Sequence, residues 1–149
     1  MSFFDSINIA ASGLTAERVR MDVTAENLAN AETTDGPGGQ PYRRQEVVLQ
    51  QVGGSSFSST LAGAMGQSAQ TPTPGGVEVA GIVDDKTPDQ LVYDPGAPGA
   101  NAKGYVKMPN VNSVTEMTDL IDESDSYQSD VTAMDTAKTM YSSTLDLLK

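Results

Sequence analysis

Twenty acidic side chains, nine basic ones and no histidine or cysteine are the groups from which any reaction chemistry in this chain would have to be made. Without His and Cys, the commonest general base and the most reactive nucleophile are missing, which leaves a serine–lysine arrangement or a pair of carboxylates. Asp84 and Asp85 are adjacent, but neighbours in an extended segment point to opposite faces and so do not share a site. Asp122, Glu123 and Asp125 offer oxygen ligands, yet the central glycine and terminal glutamate of a calcium loop are not at the required spacing. GPGG at 36–39 lacks the following Lys and Ser/Thr of a phosphate loop and reads as a turn. No enzyme activity, cofactor or metal site is expected. A net charge of −11, with only Arg43 and Arg44 adjacent among the bases, also disfavours nucleic acid and anionic lipid as partners.

Two of the bases stand out by position, because each interrupts an apolar stripe. Phe4, Ile7, Ala11, Leu14, Arg18, Met21, Ala25 and Leu28 step alternately by three and four residues near the N-terminus. Met117, Leu120, Ser124, Tyr127, Val131, Met134, Lys138, Tyr141, Leu145 and Leu148 step the same way near the C-terminus. A repeat of about 3.5 residues gives each segment a narrow seam suited to another helix. The apolar members are the expected helix-packing and inter-subunit residues. Arg18 and Lys138 either reach past a thin seam into water or fix register against acids on a neighbour.

These patterns predict a mainly α chain with a small β part. Long N- and C-terminal helices pair as an α-helical coiled coil around a short-stranded, loop-rich middle. Residues 1–34 form the N-terminal helix and its flank, 35–112 the irregular and β region, and 113–149 the C-terminal helix. Gly13 lies in the helix interior, where glycine costs about 1 kcal/mol relative to alanine, so close approach of a neighbour is expected there. Strands are expected over 42–52, 77–83 and 90–93, with a short extended piece at Tyr105 and Val106. Residues 53–76 have no charge and are dominated by Gly, Ser, Thr, Ala and Pro, which marks a low-complexity loop. Ser113 and Glu116 have capping-box spacing at the start of the last helix. Eight of the acids fall in that helix, and such a one-signed face is expected in solvent or opposite a basic partner.

With 38% hydrophobic residues, no Trp and three Phe, the chain has little to bury, and help from neighbouring subunits is the natural supplement. No apolar run reaches the roughly 18 residues of a membrane span, and the N-terminus lacks the features of a secretory signal.

Residues 9–34, IAASGLTAERVRMDVTAENLANAETT, resemble the N-terminal motif of bacterial flagellar rod and hook proteins. Small residues surround Ser12-Gly13-Leu14, Met21 follows, and Asn27-Leu28-Ala29-Asn30-Ala31 is the signature. GQPYRRQEVVLQ, LVYDPGAPGANAKGYVKMPNVNSVTEMTDLI and the Tyr127-Gln128 pair extend the resemblance over almost the whole chain, in the family's order. The resemblance implies a structural subunit of the proximal rod in the basal body, exported uncleaved by the flagellar type III apparatus into the periplasmic space. It implies helices that line the export channel and transmit torque. The implied partners are further copies of the chain, the rod subunits FlgB, FlgF, FlgG and FliE, the export apparatus and the surrounding ring. An acidic helical adaptor or secretion chaperone holding a basic client is the alternative reading of the same composition.

Overall fold

The computed structural model describes residues 3–36, 39–53, 65 and 75–146. Two long helices enclose four short strands in the order α1 (Phe3–Ala29), β1 (Gln45–Gln51), β2 (Val77–Asp84), β3 (Gln90–Tyr93), β4 (Tyr105–Met108) and α2 (Ser113–Asp146). The fold is therefore two long helices with a small β part. Most of the 53–76 segment, and residues 147–149, lie outside the described residues.

Helix α1 runs 27 residues, with Asp5 placed in its first turn where the helix dipole favours an acid. Its C-terminal end is closed by Asn30, whose backbone N–H and side-chain Nδ2 both donate to Glu26 O at 3.0 Å. Thr33 Oγ1 then donates to Asn30 Oδ1 at 3.2 Å, which turns the chain out of the helix.

Helix α2 runs 34 residues. Asn112 caps it: Oδ1 accepts from Val114 N at 3.0 Å and Thr115 N at 3.4 Å. The expected capping box is thus replaced by an Asn cap one residue earlier, and Glu116 is drawn elsewhere by a stronger, charged partner. Thr118, Thr132, Thr136, Thr139 and Thr144 each donate Oγ1 to the carbonyl four residues back, so these hydroxyls find partners within the helix.

Strands β1 and β2 form one two-stranded sheet and β3 and β4 another. Val52 N donates to Gly76 O at one end of the first pair and Asp85 N to Arg44 O at the other, which makes it antiparallel. Along β1, Gln45, Val47 and Leu49 are half-buried while Glu46, Val48 and Gln50 are exposed, the period-two alternation of a strand with one covered face. The β3–β4 connection is built from side-chain turns: Asp94 Oδ1 accepts from Gly96 N, and Asn101 Oδ1 from Lys103 N and Tyr105 N.

The chain forms two compact units, each assembled from segments distant in sequence. One comprises Met1–Glu17, Leu49–Ala80 and Ser126–Lys149, the other Arg18–Val48 and Gly81–Asp125. Among the described residues, the buried hydrophobic side chains are small: Ala16 in the first unit, and Val23, Val106 and Val111 in the second, where Pro109 is also buried. Buried polar groups, Thr24, Asn27, Glu116 and Glu123, match them in the second unit.

Candidate functional site

The polar centre of the second unit is Asn27, only 1% exposed on the last turn of α1. Its amide makes the two bonds a strand neighbour would make to Gln45: Nδ2 donates to Gln45 O at 2.9 Å and Oδ1 accepts from Gln45 N at 2.8 Å. The second Nδ2 proton goes to Glu116 Oε2 at 3.1 Å, and Tyr42 Oη donates to Asn27 Oδ1 at 2.9 Å. All four bonding positions of the amide are filled. Helix α1, strand β1 and helix α2 thus meet on one side chain.

Arg44 supplies the charge. Its Nε donates to Glu116 Oε1 at 2.6 Å, and Glu46, Asp85 and Asp119 lie around the same guanidinium. Glu116 is 1% exposed, so its charge is viable only because Arg44 and Asn27 both bind it. Burial opposes the Arg44 charge, but the hydrogen bond and charge of Glu116, joined by Glu46, outweigh it and hold the guanidinium above its ordinary range. Burial, with the carboxylates of Glu26, Glu116 and Asp84, pushes the Tyr42 hydroxyl up to about 12. The Arg44 backbone is held as firmly, its N–H donating to Asn110 Oδ1 at 2.9 Å. Asp85 receives the Thr87 N–H at 2.8 Å, and that bond holds its carboxyl below the usual range.

One helical turn along, Thr24 Oγ1 donates to Glu123 Oε1 at 3.1 Å and Arg20 Nε lies 3.5 Å from the same oxygen. A cleft of about 240 Å³ borders these groups. Its walls are Val23, Val47 and polar side chains, several of them bonded to one another, and among the described residues no cluster of His, Cys, Asp or Glu has the arrangement of a metal site. The arrangement is a joint between elements, not a reaction centre.

The first unit holds a different close approach. A Cβ on Gly13 would sit 2.6 Å from Asp130 Oδ2 on α2, so the glycine makes room for a carboxylate. Ser12 Oγ donates to Ile9 O at 2.7 Å and accepts from Val77 N at 3.0 Å, and Gly76 packs directly against Ser12.

Of the expected packing residues, Ile7, Leu14, Met21, Leu28, Leu120, Tyr127 and Met134 are half-buried, while Met117, Val131, Tyr141 and Leu145 are exposed. The Phe4 side chain lies outside the described residues. Arg18 and Lys138 are exposed, and polar contacts from α1 onto α2 are made by Arg20, Thr24 and Asn27. In the signature, Asn27 is the joint and Asn30 the helix cap, Leu28 and Ala31 are half-buried, and Ala29 is exposed. The acidic face is not wholly solvated as expected, since Glu116 and Glu123 point inward. A signal for this lay in the spacing: Glu116, Glu123 and Asp130 recur every seven residues, as do Asn27, Arg20 and Gly13, and these are the residues that meet.

Comparison with known proteins gives a consistent picture. The family described as "Flagella basal body rod protein" matches residues 7–37, and "Flagellar basal body rod FlgEFG protein C-terminal" matches residues 102–147. The chain is 44% identical over 147 residues to the flagellar basal-body rod protein FlgC of Escherichia coli O6:H1, covering 99% of this chain and 98% of that protein. It is 46% identical over 153 residues to FlgC of Bacillus subtilis, all of both chains being covered. FlgC of Borreliella burgdorferi is 40% identical over 159 residues, with 100% and 99% covered.

Proposed function

The chain belongs to the family of flagellar basal-body rod proteins and is a structural subunit of that rod, not an enzyme, and on that premise we propose how it works there. It sits in the proximal rod, in the periplasmic space, having left the cell uncleaved through the flagellar type III apparatus. Its neighbours are its own copies and the rod subunits FlgB, FlgF, FlgG and FliE, with the ring around them. The terminal helices pair as an antiparallel coiled coil, line the export channel and carry torque through packing against adjacent subunits. The seven-residue recurrence of Asn27, Arg20 and Gly13 against Glu116, Glu123 and Asp130 supports that pairing.

The observation that carries the assembly reading is the apolar surface left over on α2. Met117 is 53% exposed, Val131 37% and Leu145 45%, at successive positions two heptads apart. Large apolar side chains left in water along one stripe of a helix mark a contact completed by something else. The acids on α2 and the thin apolar core suit a chain that is marginal alone and gains its stability from neighbours.

Val131→Asp tests this. The position is exposed, so the change should cost the subunit itself no more than about 0.5 kcal/mol. Cells carrying it should make the protein at normal levels but build no rod and not swim. Motile cells would overturn the reading.

A further inference from the structure

Strands β3 and β4 pair Leu91 with Lys107, Val92 with Val106, and Tyr93 with Tyr105. Directly paired residues share a face of the sheet. Val106 is 5% exposed, so the β4 side of the face it shares with Val92 is covered, while Val92 on β3 is 45% exposed. The opposite face presents Leu91 and Tyr93, 62% and 64% exposed, together with Tyr105. The two tyrosine rings pack edge to face, centroids 5.3 Å apart at 66°. Gly104 lies against them at φ 77°, where a Cβ would come within 2.9 Å of the Tyr93 ring. The rings are thus held in place by the fold, and little side-chain freedom remains to be lost on binding.

A second apolar patch lies on α2. Val114, Met117 and Ile121 are 74%, 53% and 62% exposed. Spaced by three and four, they fall within an arc of about 60° at 100° per residue, away from the inward Glu116 and Glu123. The two patches differ in charge. Residues 86–107 carry Lys86, Lys103 and Lys107 against Asp89 and Asp94, whereas 113–125 carry five acids and no base. Lys103 and Lys107 are exposed beside the sheet face, and Asp122 beside Ile121.

We propose that the outward face of the β3–β4 hairpin docks on the Val114–Met117–Ile121 stripe of a second copy of this chain. The inference rests on the rod reading and names the surfaces that join its subunits. Stripe against stripe would bring acid to acid, and hairpin against hairpin lysine to lysine. Hairpin against stripe pairs aromatic and aliphatic anchors and sets Lys107 opposite Asp122. Because the two patches are different, the contact is head to tail and propagates into a helix instead of closing as a dimer.

The chain has no cysteine, so Lys107→Cys and Asp122→Cys place the only two thiols on the proposed contact. Basal bodies isolated from oxidised cells carrying both changes in one chain should give a ladder of multimers on a non-reducing gel. A mixture of the two single variants should give dimers only. Adding Ile121→Glu should reduce the ladder at least about tenfold, since truncated anchors dominate such contacts. Zero-length amine-to-carboxylate coupling of the unsubstituted chain should link Lys107 to Asp122 between copies, read by mass spectrometry of isotopically mixed protein. Basal bodies that contain the chain but give neither link, or link these positions to a different protein, overturn the docking and leave the rod reading standing. Absence of the unsubstituted chain from basal bodies overturns both.

Discussion

Asn27 fills both amide protons and both acceptor positions with groups from β1, α2 and the segment before β1, so its removal strands several partners at once. Each buried polar group left unpaired costs about 1–3 kcal/mol. Asn27→Ala should therefore lower the thermal midpoint of the purified chain by about 5–10 °C, at the roughly 2–4 °C per kcal/mol expected of a chain this long. Asn27→Asp should be worse than Ala despite its matching shape, because it turns an oxygen towards Glu116 where a donor is required. Equal, small shifts for both would sink the role given to this amide. Tyr42 yields a pH prediction. Its hydroxyl is raised from an ordinary 10.0 to about 12, because burial penalises the ionised form and a phenolate there would also face Glu26, Glu116 and Asp84. A raised folded value means its contribution is whole below about pH 10 and lost as pH climbs towards 12. Tyr42→Phe should be less stable than the parent at pH 8, and the gap should narrow between pH 10 and 12 in urea titrations.

At the scale of elements, the helices meet through groups that size and polarity alone do not flag. Gly13 in α1 is the sharpest case, since Ala is preferred there by about 1 kcal/mol in an isolated helix. With Asp130 Oδ2 2.6 Å from any added Cβ, the carboxylate must swing away before that preference is realised. Gly13→Ala should be neutral or destabilising in the parent but stabilising by about 1 kcal/mol in an Asp130→Ala background, a reversal of sign readable in denaturant midpoints. An unchanged sign would place the glycine's role elsewhere. The sequence made the two helices and the strands near 45–51, 77–84 and 90–93 legible, because apolar periodicity and Gly/Pro punctuation are local signals. The phase of α2 was half legible. Leu120, Tyr127 and Met134 are half-buried, but the interleaved positions fall one residue earlier than an apolar count suggests, on Glu116, Glu123 and Asp130. Hydrophobicity cannot reveal a seam of paired charges, since the partners of Glu116 are Arg44 and Asn27, distant in sequence. The Asn27 signature was visible as a pattern, whereas its mechanism needed the strand that Asn27 binds.

At the scale of the molecule, the net charge of −11 sets two electrostatic effects against each other. Helix α2 carries eight acids with Lys138 as its one described base, so its exposed carboxylates repel along and around the helix. The favourable pairs converge on Arg20, Arg43 and Arg44, and two of them involve carboxylates that are nearly buried: Glu116 at 1% and Glu123 at 5% side-chain exposure. Salt screens exposed charges far more than buried pairs, the screening length shrinking from about 30 Å at 0.01 M to about 8 Å at 0.15 M. The repulsion should therefore fade while the Arg44–Glu116 joint holds, and the thermal midpoint of the purified chain should rise across that range. Asp122→Asn with Asp135→Asn, both exposed on α2, should raise the low-salt midpoint and flatten its salt dependence. The proposed contact between copies sets lysine against acid, so the same screening should weaken assembly while it steadies the lone subunit, and the two should respond to salt in opposite directions. A midpoint that falls with salt would mean that exposed ion pairs outweigh the repulsion, and the view of α2 as a charged helix steadied by its neighbours would have to be abandoned.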